Sequence, residues 1–87
     1  MPLKEDFDAA VSRSKTMTRK PDNDALLSLY ALFKQATEGD ISGERPGGFD
    51  FKAIAKHDAW AARKGLPQET AMQEYIALAD QLFKQYQ

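Results

Sequence analysis

Apolar residues recur three and four positions apart in four separate stretches of the chain, and nowhere does the period-two alternation of a strand appear. The first stripe holds Leu3, Phe7, Ala10, Val11 and Ser14 and is expected to end near Thr16–Arg19. The second runs through Leu26, Leu29, Tyr30, Phe33 and Ala36. Asp22 is its expected N-cap, with further acid at the positive end of the helix dipole, and Gly39 is placed to close it in the left-handed conformation. Asp50 caps a third stripe of Phe51, Ile54, Ala55, Ala59 and Ala62, stopped by Gly65. Pro67 fits the first turn of a fourth, where Met72, Tyr75, Ile76, Ala79, Leu82, Phe83 and Tyr86 follow helical spacing for about four turns.

The links between these elements are uneven. Helix one meets helix two, and three meets four, through short connections, whereas Glu38 to Phe49 separates the second from the third. A loop of that length lets the chain cross the molecule instead of turning straight back, so the bundle need not be a simple up-down-up-down one. Pro46, Gly47 and Gly48 mark a turn within it. Ile41 and Phe49 are apolar enough to pin the loop to the body, and Glu44 and Arg45 are placed to pair with each other or with helix ends. The whole chain, 1–87, is read as one all-α domain without repeats.

Composition excludes more than it assigns. With 87 residues there is room for one core, and 43% hydrophobic with 29% charged residues is ordinary for a globular domain. No cysteine is present, which removes disulfides and thiolate zinc ligation. The stretch "MPLKEDFDAA" carries acids where a secretory leader needs an apolar run, and no segment approaches the roughly 18 residues of a membrane span, so a cytoplasmic, soluble protein is expected. A net charge of −1 argues against nucleic acid, although four bases and no acid lie between Arg13 and Lys20, enough for a local anion site. His57 stands alone, no nucleophile elbow is present, and no catalytic residue, cofactor or metal site is assigned.

Binding is better supported than catalysis. Tyr30, Phe33 and Lys34 fall at i, i+3 and i+4, which sets two rings beside one ammonium group on a helical face. Lys52 and Lys56 repeat the i, i+4 spacing on helix three, and Tyr75 lies at the seam between apolar and polar faces of helix four. Rings with neighbouring lysines suit an adenine nucleotide, whose base stacks while its phosphates accept charge-assisted hydrogen bonds. The same spacing also suits core aromatics and solvent-facing lysines, and periodicity leaves the two readings open.

The run "YALFKQATEGDISGERPGGFDFKAIAKHDAW", Tyr30 to Trp60, resembles the acyl-CoA-binding protein family, whose hallmark is Y-x-x-[YF]-K-Q-A-T-x-G-D-x-x-x-x-R-P-G followed by D-F-x-x-x-A-K-x-D-A-W. The likeness extends through "FDAAV", "KPDNDALL" and "KGLPQETAMQEYIALADQL" and so covers nearly the whole chain. It implies a four-helix bundle of up-down-down-up topology that binds long-chain acyl-CoA thioesters without turning them over.

By the same resemblance, Lys34, Lys56 and the Tyr30 hydroxyl carry contacts to the ribose 3'-phosphate, and Lys15 lies near the head group. Phe33 and Tyr75 stand where rings meet adenine, and Ala31 and Leu32 belong to the same contacting segment. Met17, Leu26 and Leu27 are candidates for the acyl groove. Two departures are visible: Phe33 replaces a frequent tyrosine and loses its hydroxyl, and His57 replaces a usual tryptophan beside Lys56. The implied partner is an acyl-CoA ester bound by a monomer. The competing readings are a helical protein-interaction module using the Met72–Tyr86 stripe, and an acyl-CoA hydrolase or transferase, for which no nucleophile is in view.

Overall fold

The computed structural model describes residues 2–17 and 19–86 and contains, among them, helices and no strand. The elements are α1 (Leu3–Ser14), α2 (Asn23–Glu38), α3 (Phe51–Ala61) and α4 (Gln68–Gln85). Both expected aspartate caps are formed. The Asp22 carboxylate accepts from the Ala25 N–H at 2.8 Å and Asp50 accepts from the Ala53 N–H at 3.1 Å, each satisfying a donor that the first helical turn leaves free.

Several boundaries fall elsewhere than the spacing predicts. Helix α1 closes at Ser14, before the Thr16–Arg19 stretch, of which Thr18 lies outside the described residues. Helix α3 stops at Ala61 with Ala62 as its cap, and Gly65, at φ +91°, ends the turns that follow instead of the helix itself. Pro67 is the N-cap of α4, just outside its first turn. Gly39 caps α2 at φ +80° and ψ −150°, outside the left-handed helical region and in one essentially reserved for glycine. That backbone leaves the Gly39 carbonyl accepting from Trp60 Nε1 at 3.0 Å.

The packing explains the topology. Phe7 of α1 meets Tyr75 of α4, and further along Arg13 pairs with Asp80 and lies over the Phe83 ring, so α1 and α4 run in the same direction. Ala36 accepts from Gln68 while Phe33 lies beside Tyr75, so α2 runs against α4. Tyr30 faces Lys56 and Lys34 faces Trp60, so α2 and α3 are parallel. The bundle is up-down-down-up, and the long connection is what makes the parallel pair possible.

Phe7, Ala10, Leu29, Leu32, Ala71, Tyr75, Ala79 and Leu82 close the core between α1, α2 and α4. The α4 stripe is therefore spent on this interior. Among the helices α3 touches α2 alone, and it buries none of its residues fully; the molecule's thinnest axis is 15 Å. One-sided packing leaves an open groove between α2 and α3.

Directional polar contacts fix the crossover, with Ile41 half-buried against the body. Phe49, expected to pin it, is 90% exposed. The loop is tied down by Asp40, which accepts from Gln35 Nε2 at 2.9 Å and from the Gly65 N–H at 2.8 Å, while Gln35, fully buried, also donates to the Leu66 carbonyl at 2.8 Å. Arg45 does not pair with Glu44 but grips Asp58, in the last turn of α3, with both Nε and Nη2, at 2.8 and 2.9 Å. These bonds run through side chains, so the loop is positioned by Asp40 and Arg45 while its own backbone stays at the surface.

These bonds have a pH signature. The Gly65 N–H, then Gln35, hold the Asp40 carboxyl below its ordinary 3.8, and the Arg45 guanidinium does the same for Asp58. A carboxyl depressed in the folded state contributes stability above its unfolded pKa and loses it as the pH falls through the folded value. Thermal stability is thus expected to fall below about pH 4, and Asp40→Asn to show a shallower acid limb in melts followed by circular dichroism. Identical limbs for variant and wild type count against the assignment of Asp40.

Candidate functional site

The seam between α2 and α3 carries two cation–π pairs of opposite sense, one helical turn apart. Lys56 of α3 lies over the Tyr30 ring of α2, with Nζ 5.3 Å from the centroid, and Lys34 of α2 lies over the Trp60 ring of α3 at 5.0 Å. The crossing follows from the sequence. Tyr30 and Lys34, and Lys56 and Trp60, are each i, i+4 pairs, so parallel helices bring each aromatic opposite the other helix's lysine. Both ammonium groups therefore gather along one line of the surface. Lys34 is also paired with Glu38 one turn on, its side chain 23% exposed.

Two grooves open beside this seam. The first, about 320 Å³, lies between α1, α2 and α4 and is lined by Lys15, Met17, Leu26, Tyr30, Phe33 and Tyr75, among others. The second, about 410 Å³, lies between α2 and α3 and is lined by Lys20, Leu26, Leu27, Tyr30, Lys52 and Lys56, with Asn23, Phe51 and Ala55 completing it. Leu26 and Tyr30 wall both grooves, so the two are separated by a single ridge of α2. An apolar trough with ammonium groups on its rim offers dispersion contacts to a hydrocarbon and charge to an anion in one place.

The residues singled out from sequence divide into three sets. Lys15, Met17, Leu26, Leu27, Tyr30, Phe33, Lys52, Lys56 and Tyr75 all line one groove or the other. Lys34 lines neither and sits on the seam between Glu38 and Trp60. Ala31 and Leu32 are 1% and 2% exposed and line neither groove; α2 is surrounded by neighbours on several sides, and these two side chains face them.

Tyr75 is buried instead of lying at a polar seam. Its ring meets Phe7 edge-on at 5.1 Å and its hydroxyl lies 3.1 Å from Ser14 Oγ. Since Ser14 donates to the Val11 carbonyl at 2.7 Å, Tyr75 is the donor to Ser14. Phe33, stacked on Phe7 at 6.1 Å and 37% exposed, keeps a ring face toward the first groove.

Some lining residues carried no individual signal in the sequence. Lys20 appears there only as part of the acid-free Arg13–Lys20 run, and Phe51 reads as a core position because it opens an apolar stripe, yet it is 70% exposed. His57, on the flank of α3, has a side chain 19% exposed, with both ring nitrogens buried and without hydrogen-bond partners.

Fold and seam together define a class: small helical binding proteins that present an apolar trough and a cationic rim to a single ligand. A family model described as Acyl CoA binding protein matches residues 4–79. The chain is 48% identical over 80 residues to Acyl-CoA-binding protein homolog 1 of Caenorhabditis elegans, covering 92% of this chain and 93% of that one. It is likewise 48% identical over 80 residues to Acyl-CoA-binding protein of Saccharomyces cerevisiae, covering 92% of each. The crystal structure of Oryza sativa Acyl-CoA-Binding Protein 2 superposes with a TM-score of 0.91 at 39% identity, over 97% of this chain and 93% of that one. The chain belongs to the acyl-CoA-binding protein family.

Proposed function

We propose that the protein binds and carries medium- to long-chain acyl-CoA esters, without chemistry of its own, as a monomer in the cytoplasm. The observation that carries this reading is the juxtaposition, on one ridge of α2, of the lysine–aromatic seam with the α2–α3 trough. In this reading Lys34, Lys56 and the Tyr30 hydroxyl hold the 3'-phosphate and Lys15 lies near the head group. The adenine rests on Phe33 with Tyr75 as a fixed floor, and the acyl chain follows Leu26 and Leu27 past Lys52. Met17, on the far side of the Leu26 ridge, borders the first groove and would meet the ligand near its base instead of its chain. Ala31 and Leu32 support the segment from inside.

Nothing favours the interaction-module alternative: Tyr75, Ala79 and Leu82 of the α4 stripe are buried against α1 and α2, and Met72, Ile76 and Tyr86 pack half-buried against the same core. Trp60, roofed by Lys34, is a built-in reporter. Titrating palmitoyl-CoA is expected to change Trp60 fluorescence saturably at one equivalent, with no free thiol appearing on incubation. A flat titration removes the carrier reading, and steady thiol release above background replaces it with a hydrolase.

A further inference from the structure

The α2–α3 trough changes character along its length. Tyr30 lies opposite Lys56, and two parallel helices advance by the same rise per residue, so Leu26 is level with Lys52 and Asn23 lies beyond both. The middle of the trough is therefore hydrocarbon, walled by Leu26, Leu27 and Ala55, whereas Lys20, Asn23 and Lys52 line its far end beside Phe51. It is apolar between two cationic ends.

The two far lysines are unspent. Among the described residues neither Lys20 nor Lys52 has a carboxylate within ion-pair distance, and no carboxylate lines the trough. The acids nearest to them in the chain, Asp22, Asp24 and Asp50, lie outside that lining. Asp22 and Asp50 accept from the Ala25 and Ala53 N–H groups as helix caps, so they weaken the local positive field without occupying either ammonium. A methyl terminus arriving here would displace water from these groups and give nothing in return, whereas a carboxylate would meet two charged donors and one amide.

Resting on the acyl-CoA reading, we propose that the trough also takes acyl-CoA esters whose chain ends in a carboxylate, with that ω-carboxyl group held by Lys20 and Lys52 and by the Asn23 amide. The trough then measures the chain. One that is too short leaves its charge stranded over Leu26 and Leu27, where nothing pairs it, and one of matching length sets it between the ammonium groups. Both lysines are exposed, so each pair is weak by itself and the site selects by reach more than by strength.

Calorimetry with thioesters of twelve to sixteen carbons tests this, each plain acyl-CoA set against the ω-carboxyl acyl-CoA of equal length. In the wild type the affinity of the ω-carboxyl ester relative to the plain one is expected to pass through a maximum at one length, where the two agree within about threefold, and to fall about tenfold for chains that stop short of it. Lys20→Met/Lys52→Met should lower that maximum about tenfold, since methionine keeps the stem and removes the charge. The readout is a ratio, so a general weakening of the variant cancels. A ratio that is flat with length, or unmoved by the double variant, overturns the proposal. So does a wild type that binds the plain esters and rejects every ω-carboxyl one, a result that leaves the carrier reading intact. A wild type that fails to bind palmitoyl-CoA strikes the carrier reading itself, and this proposal with it.

Discussion

Palmitoyl-CoA lacking its 3'-phosphate is expected to bind the wild-type protein roughly ten- to a thousandfold more weakly than the intact ligand, and nearly as well as the intact ligand to Lys34→Met/Lys56→Met. Each hydrogen bond between an ammonium and a phosphate is worth about 1.5–3 kcal/mol, so two of them span roughly two to four powers of ten before their existing partners are subtracted. Those partners differ. Lys56 leaves only the face of Tyr30, which can stay beside it while the hydroxyl turns to the ligand, whereas Lys34 is shared between Trp60 and the carboxylate of Glu38. The phosphate must displace Glu38, and Glu38→Gln should tighten binding about two- to fivefold, the worth of a half-exposed ion pair. Methionine is the right replacement because it keeps the stem that covers apolar surface and removes only the charge. The cycle of two ligands and two proteins isolates the phosphate–lysine coupling, and calorimetry giving equal wild-type affinities for the two ligands would remove both lysines from the site.

How far this site could be read without coordinates depended on whether neighbouring residues shared a helix. Asp22, Asp50 and the four apolar stripes are legible because each follows from local spacing, whereas the length of Glu38–Phe49 only permits a crossover and the family resemblance supplies the parallel pair. The aromatic and basic residues of the seam were legible as i, i+4 pairs, but their crossed partnership was not. Which lysine meets which ring depends on the axial offset between α2 and α3.

Phe49 and Tyr75 were misplaced for opposite reasons. An apolar residue in a loop is read as an anchor, yet directional bonds from Asp40 and Arg45 had already fixed that loop, leaving Phe49 free to face water. A tyrosine is read as amphipathic, yet Ser14 one helix away satisfies its hydroxyl and lets the whole side chain go under. Neither Asp40's grip on Gly65 nor Ser14's on Tyr75 has any signature in spacing, since each joins residues far apart in the chain.

Lengthening the acyl chain from twelve to sixteen carbons is expected to raise affinity by up to about two-hundredfold, since four methylenes at about 0.8 kcal/mol each give about 3 kcal/mol. The trough is open along one side, so part of each methylene stays wet and the observed slope should lie between about two- and fourfold per carbon. Beyond the length the trough covers, further carbons reach solvent and the slope should vanish, which makes the break point a measure of the groove. Leu27, on the trough but not the first groove, sets that length. Leu27→Trp should fill part of the roughly 410 Å³ and move the break to shorter chains. The same variant should leave the loss on removing the 3'-phosphate unchanged, because the phosphate seam and the hydrocarbon trough act through different contacts. A flat response to chain length would mean that the ligand's tail does not lie between α2 and α3. A break point unmoved by Leu27→Trp would send it to the other side of the Leu26–Tyr30 ridge, into the groove bordered by Met17 and Phe33.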